Sequence, residues 1–402
     1  MIDRQYGRGM IEFARQFMPA LEAARQVVAA NGRLEGRRVG IALTLEPKTA
    51  CLVEAVSSLG AEVAVFGSGH STKGQVVEAL AEVGVSVFAR EGADRDEVDG
   101  LRSAFIDTRP EFLSDDGASI VRRIHTERID VLAALQGVAE ETTSGVRPLR
   151  VMEAQGALRV PCVAVNDARV KLLFDNRYGT GQSVVMATLD ATNTQMPGKE
   201  VVVVGYGKVG RGLAAVAQGL GARVTVTEID PVEALAAYHD GHRVMPLAAA
   251  VASADVVFTA TGIGHSLTAE HITLMPDGAI VAVGGAGPPE FDPSLGPELV
   301  WGAEVRPHVR ALETDRGTTV FLIADGFCAN TSAGEGNPIE IMDLSLALQM
   351  RALDYLAAGE LEVGVHLLPR SIEEEVAVSQ LAAVGVEIDH PTPAQIEAAG
   401  TW

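Results

Sequence analysis

A run of four valines, Val201 to Val204, leads at once into Gly205, Tyr206, Gly207, Lys208, Val209 and Gly210, and this segment limits the fold more than any other. A short, continuous β-branched run reads as a strand buried on both faces. The glycine spacing then allows a tight turn at Gly205, close approach of backbone to a pyrophosphate at Gly207, and close helix-on-strand packing at Gly210. Lys208 and Val209 open a helix-compatible stretch whose first N–H groups would face the phosphates. The next strand, Arg223 to Thr227, ends at Glu228, the acid that such sites place about 20 residues on to hold a ribose 2′-hydroxyl. A carboxylate there repels a 2′-phosphate, so the expected cofactor is NAD rather than NADP. Thr259, Thr261 and Gly262, at the end of a later strand, are expected to wall the same crevice.

The alternation of strand and helix extends to both sides of this unit. Arg38 to Leu43, Glu62 to Val65, Val85 to Phe88 and Val131 to Leu135 read as strands between Ala-, Leu- and Glu-rich helical stretches. A second series starts at Val201 and continues through Arg223 to Thr227, Asp255 to Thr259, Ala279 to Val283 and Thr319 to Ile323. The rhythm predicts an α/β fold of two doubly wound parallel-sheet domains joined by a hinge. A chain of 402 residues is also too long for one ordinary core. Ser183 to Thr188 reads as helix, and the polar run Thr192 to Lys199 suits the hinge. We expect a substrate domain over residues 1–182 with a return of 341–375, a dinucleotide domain over 183–340, and a tail over 376–402.

Composition narrows the class of partner. The 53 acidic residues outnumber the 32 basic ones, giving a net charge of −21 that suits neither nucleic acid nor an anionic membrane. No apolar run long enough to span a bilayer is present, and the charged N-terminus lacks the apolar core of a signal peptide, so a cytosolic protein is expected. Cys51, Cys162 and Cys328 have no pairing or zinc-type spacing and read as thiols in the core or near a site.

Three further segments gather polar residues that core packing does not require: Asp115-Asp116-Gly117, Glu140-Glu141-Thr142-Thr143-Ser144-Gly145, and Asn166 through Gly179. The second follows an apolar strand, at the end where α/β sheets place their sites. In the third, Lys171 and Asp175 stand four apart, on one face if helical, where a surface ion pair is the competing explanation. In order and spacing these segments, with the glycine loop and Thr227-Glu228-Ile229-Asp230-Pro231, resemble the S-adenosylhomocysteine hydrolases. The resemblance runs from Met18 to Leu356 and is strongest from Glu140 to Thr261. It implies a tightly held NAD, transient oxidation of a ribose 3′-hydroxyl, acidification of the C4′ proton, and expulsion of the 5′ substituent. By the same resemblance Lys171 and Asp175 serve the 3′-hydroxyl, Asp116 serves C4′ and Glu141 the 2′-hydroxyl. Thr142, Thr143, Ser144, Asn176, Glu228 and Asn330 match NAD-binding positions.

The chain also departs from that family. Its Leu-His-Met-Thr segment reads Leu43-Thr44-Leu45-Glu46 here, so the histidine linked to 5′ chemistry is Thr44, and the acid that reads the adenine amino group aligns with Lys48, beside Thr49. A second histidine is lost at Gly285-Ala286-Gly287, a third at Asn337 of Gly336-Asn337-Pro338, and a cysteine near the nicotinamide becomes Thr180. The chain ends at Trp402 without the Lys-x-x-x-Tyr tail that reaches a partner's NAD. Together these changes lead us to expect a small nucleoside substrate from which water is lost, an NAD-dependent dehydratase of natural-product biosynthesis. The alternatives are S-adenosylhomocysteine hydrolysis, epimerisation, and a non-catalytic NAD-binding regulator. His70, Glu46 and Glu335 are the candidates for a replacement acid. A homo-oligomer, dimer or tetramer, is expected from the resemblance alone.

Overall fold

The computed structural model describes residues 2–285, 290, 291, 296 and 298–400, with side chains from residue 5 onward. Ala286, Gly287 and Trp402, singled out above, lie outside the described residues. The chain builds two sheets. The first has seven parallel strands in the order Gly364–His366, Pro161–Ala164, Gly137–Glu140, Phe112–Asp115, Arg38–Ala42, Glu62–Phe66 and Ser86–Phe88. The second has eight, running from Arg243–Val244 through Arg223–Thr227, Glu200–Val204, Val256–Thr259 and Ile280–Val283 to Thr319–Ile323 in parallel. An antiparallel pair, Val309–Thr314 and Leu299–Arg306, completes its edge. The expected α/β class with two doubly wound sheets is therefore correct, although the antiparallel edge carried no signal that we read.

Each sheet starts in its middle and reverses direction, and such a reversal opens a crevice beyond the carboxyl ends of the strands. In the first sheet the reversal lies between Arg38–Ala42 and Phe112–Asp115, which delivers Thr44 and Asp116 to one mouth. In the second it lies between Glu200–Val204 and Val256–Thr259, which delivers the glycine loop and Thr261. The helix Ile339–Ala357 packs against Pro19–Asn31 and the first sheet, and is buried along nearly its whole length. Its polar residues therefore need partners inside the protein. Asp343 finds them in the N–H groups of Ala20 and Leu21, 2.9 and 2.7 Å away, which caps the first turn of Pro19–Asn31.

One expected strand is misplaced. Val131 to Leu135 is not extended: Ile129–Leu132 is a helical turn, and the strand is Gly137–Glu140. The apolar pair Val131 and Leu135 faces the core without pairing in the sheet, whereas the true strand, Gly-Val-Ala-Glu, carries one large apolar residue, Val138. Gly137 must be small, because a Cβ there would meet Leu356 Cδ2 at 2.7 Å. Among the described residues, no helix is long and apolar enough to cross a membrane.

Candidate active site

The two mouths open into one crevice of about 860 Å3. From the first sheet it receives Thr44, Glu46, Asp116 and Glu141, followed by Thr142, Thr143 and Ser144 at the start of the helix Thr143–Ala154. Lys171, Asp175 and Asn176 enter from the next helical segment. From the second sheet come Gly207, Lys208 and Val209, then Thr261, Gly262 and Asn330, and Asn337 lies on the connection back. The predicted residues Lys48, Thr49, Gly205, Gly210, Glu228 and Thr259 do not line it.

Lys171 to Gly179 is wound as a π-helix, a wide turn that recurs where side chains are gathered for function. It places Lys171 Nζ 2.9 Å from Asp175 Oδ2, 3.3 Å from Glu141 Oε1 and 3.1 Å from Asn176 Oδ1. All three charged groups are buried, which removes the surface ion pair as an explanation. Burial works against the ammonium charge, but Asp175 and then Glu141 outweigh it and hold the pKa of Lys171 above the ordinary value. Burial raises the carboxyl of Glu141, and Lys171 only partly offsets this.

Each member is held from behind. Ser345 donates to Asp175 Oδ2 at 2.7 Å, Asn337 donates to Asp175 Oδ1, and Gln349 donates to Glu141 Oε2. Asn176 Nδ2 and Thr143 Oγ1 both donate to Asn166 Oδ1, at 3.2 and 3.1 Å. Ser345 and Gln349 were not foreseen. They sit on a helix whose pattern reads only as core, and nothing local announces that its polar face turns to the site. Glu141 Oε1 is buried and, apart from its ion pair to Lys171, has no hydrogen-bond donor among the described residues. A buried acceptor left open in this way is suited to a substrate hydroxyl.

Asp116 accepts from Thr142 Oγ1 at 2.9 Å, and burial raises its carboxyl against that bond. Behind it Glu140 Oε1 accepts from the N–H of Gly117 and lies 3.0 Å from the Thr142 hydroxyl, while Oε2 accepts from the N–H of Ala118.

On the opposite wall Gly205 has φ of 93°, and a Cβ on Gly210 would lie 2.0 Å from Gly205 O, so both glycines are required by the turn. A Cβ on Gly207 would meet nothing within 4 Å and would instead project into open space at the start of the helix Lys208–Gly219. That is the cradle a pyrophosphate needs. Glu228 accepts from Tyr206 N–H at 2.6 Å and so braces the glycine loop from the side of the ribose position. Asn330 donates to Asn337 Oδ1 at 2.8 Å and to Ser183 Oγ at 3.1 Å. Thr259 is buried, and its hydroxyl has no partner among the described residues.

The part of the crevice nearest Thr44 is built differently. Lys48 is buried with its ammonium 2.6 Å from Glu46 Oε2, and it also donates to the carbonyls of Glu335 and Asn337 at 2.6 and 2.9 Å. These partners direct Lys48 into the loop 335–337 and leave Glu46 to face the crevice. Burial raises the carboxyl of Glu46 in spite of Lys48. Thr49 donates to the Thr44 carbonyl at 2.6 Å and holds the turn. Glu335 itself is exposed, with Lys73 3.2 Å away. His70 lines the crevice and stacks on Phe327 with ring centroids 4.1 Å apart.

Known proteins resemble the chain over nearly its whole length. A family profile described as S-adenosyl-L-homocysteine hydrolase matches residues 1–133, and one described as S-adenosyl-L-homocysteine hydrolase, NAD binding domain, matches residues 176–336. An S-inosyl-L-homocysteine hydrolase of Methanopyrus kandleri is 44% identical over 405 residues, covering 98% of this chain and 95% of that protein. An adenosylhomocysteinase of Thermotoga maritima is 44% identical over 400 residues, covering 98% of this chain and 99% of that protein. A third relative, an adenosylhomocysteinase of Thermococcus kodakarensis, is 41% identical over 400 residues, covering 98% and 95%.

Proposed function

The chain belongs to the S-adenosyl-L-homocysteine hydrolase family as an NAD-dependent enzyme of that kind, and from this premise we propose that it cleaves the 5′-thioether of an S-nucleosyl-L-homocysteine. The observation that carries the reading is the buried cluster of Lys171 with Asp175, Glu141 and Asn176, which faces the same crevice as Gly207. When bound, NAD supplies an acceptor for the C3′ hydride and returns that hydride at the end. One cation between two carboxylates leaves the cluster short of positive charge, so the proton of a 3′-hydroxyl can pass into the Lys171–Asp175 pair. Glu141 Oε1 takes the neighbouring 2′-hydroxyl and fixes the ribose.

Once C3′ is a ketone, Asp116 removes the C4′ proton, and the electron pair moves to expel the C5′ substituent. A thiolate leaves C5′ without needing a proton donor, whereas hydroxide needs one. Thioether cleavage is therefore the reading that the relatives and this site support together. Water then adds at C5′ and a proton returns to C4′. The substrate domain over 1–182 with 341–375, the cofactor domain over 183–340 and the tail over 376–402 belong to the same reading. So do a cytoplasmic location and a dimer or tetramer, which sedimentation would measure.

The sequence led us to expect loss of water as the whole reaction, and this stays as a second reading on one observation. Thr44 lines the crevice where the resemblance implies a histidine, so the group that would activate incoming water is changed. An enzyme that eliminates without adding water leaves a 4′,5′-unsaturated nucleoside. Incubating the holoenzyme with S-adenosyl- and S-inosyl-L-homocysteine and titrating free thiol separates the two. Thiol release with formation of the plain nucleoside supports hydrolysis. No thiol release, with a product one water lighter from a thiol-free nucleoside, transfers the assignment to the second reading.

A further inference from the structure

Thr142 stands at the meeting point of two carboxylates. Its Oγ1 is 2.9 Å from Asp116 Oδ1 and 3.0 Å from Glu140 Oε1, and it also receives the Gly117 N–H at 3.0 Å. Ser144 Oγ is its fourth neighbour, at 3.0 Å. A threonine hydroxyl carries one hydrogen. With both acids ionised, that hydrogen serves only one of them, and the other carboxylate oxygen faces a lone pair. Glu140 is satisfied elsewhere by the N–H groups of Gly117, Ala118 and Thr142, at 2.9, 2.9 and 3.1 Å. Asp116 Oδ1 has Thr142 alone among the described residues. The network is thus one proton short, and a proton on Asp116, the carboxylate with fewer donors, completes it.

We propose that Thr142 is a hydroxyl relay: its hydrogen points to Asp116 while that carboxylate is ionised, and turns to Glu140 when Asp116 has taken up a proton and donates to Thr142 in return. No bond between heavy atoms changes. Two hydrogen bonds replace one, so proton uptake by Asp116 is favoured. In this role Glu140 and Thr142 act through Asp116 and raise its basicity. The inference rests on the proposed role of Asp116 at C4′. Burial of Asp116 acts in the same direction, while the bond from Thr142 to the ionised carboxylate, taken without the turn of the hydroxyl, opposes it. The other groups facing Asp116 are Lys171 and Asp175 from the π-helix, Glu140 and Glu141 from the adjoining strand end, and the Cys328 thiol across the crevice. Those facing Glu140 are Asp115, Asp116 and the Cys162 thiol. Asp115 accepts backbone N–H groups of Asp116, Ile120 and Val121, and so stays outside the relay.

The test follows deuterium entry at C4′ of adenosine or inosine by mass spectrometry, with the holoenzyme in heavy water over a pH series, and monitors NADH absorbance in the same samples. Thr142→Val, which removes the hydroxyl at constant volume, is expected to move the acid limb of exchange down by roughly one pH unit, the equivalent of one hydrogen bond. Thr142→Ser is expected to restore the limb. Glu140→Gln is expected to lower it as Thr142→Val does, and the double variant to lower it no further. An unmoved limb in Thr142→Val, or additive shifts in the double variant, overturns the relay. If Thr142→Val costs the fold, Glu140→Gln decides alone by the position of its limb. Wild-type protein that reduces NAD but shows no exchange at C4′ overturns the role of Asp116 itself, a failure distinct from an unmoved limb.

Discussion

The two ends of the crevice are buried to a similar depth, yet they use their charges in opposite ways. At the Lys171 end the charged groups line the cavity and are held by neutral amides and hydroxyls, namely Ser345 and Asn337 on Asp175, Gln349 on Glu141 and Asn176 on Lys171. At the Lys48 end the cation faces away, into the carbonyls of Glu335 and Asn337, and its partner Glu46 alone is left to the cavity. A lysine whose ammonium is held among side chains that themselves line the crevice is arranged for chemistry. One whose donors are taken by backbone carbonyls is arranged to hold a loop. Two buried Lys–carboxylate pairs in one crevice thus carry different functions, and the difference lies in what surrounds them.

That contrast can be broken by exchanging the cations for isosteric neutral side chains. Lys171→Met is expected to slow substrate-dependent reduction of bound NAD by roughly 10²–10⁴-fold, the usual scale for a positioned acid–base group, as read by stopped-flow absorbance. Lys48→Met is expected to cost about 3–5 kcal/mol of stability, because it leaves Glu46 buried without a counter-charge, as read by denaturant unfolding. At temperatures where the Lys48→Met protein is folded, its rate of NAD reduction should fall far less than that of Lys171→Met, because Lys48 reaches the cluster only through the backbone of Asn337. Equal effects of the two substitutions on NAD reduction would erase the distinction between the two ends.

Asn337 sharpens the comparison because it belongs to both ends. Its side chain donates to Asp175, and its carbonyl accepts from Lys48. Asn337→Ala keeps the carbonyl and removes only the amide. It is expected to lower the rate of NAD reduction by about 10- to 100-fold, the value of a hydrogen bond to a charged group, with a smaller loss of stability than Lys48→Met. A loss confined to stability would place Asn337 wholly in the loop-holding set.

The dinucleotide end of the molecule was legible in the sequence because its requirements are local. A buried strand, three glycines at fixed spacing and a terminal acid lie within one stretch of chain, and the turn in the structure requires glycine at Gly205 and Gly210. The Lys171–Asp175 pair was legible as a spacing, but its burial was not, since the π-helix and the supporting residues Ser345 and Gln349 come from a segment far along the chain. The strand Gly137–Glu140 was missed for a related reason. It opens on a glycine because Leu356 presses on Gly137, a contact that no pattern within the strand reveals. Lys48 was placed in the substrate pocket from its alignment alone, and the two carbonyls that take its donors lie almost 300 residues away.

The most direct test of the lysine cluster's role is the absorbance of the purified NAD-loaded protein on mixing with adenosine and with inosine, neither of which carries a thioether. A rise in NADH is expected from the wild type with at least one of the two, and is expected to be lost in Lys171→Met. No rise with either nucleoside, from protein in which bound NAD is demonstrated, would contradict the claim that the buried lysine cluster works on a ribose hydroxyl.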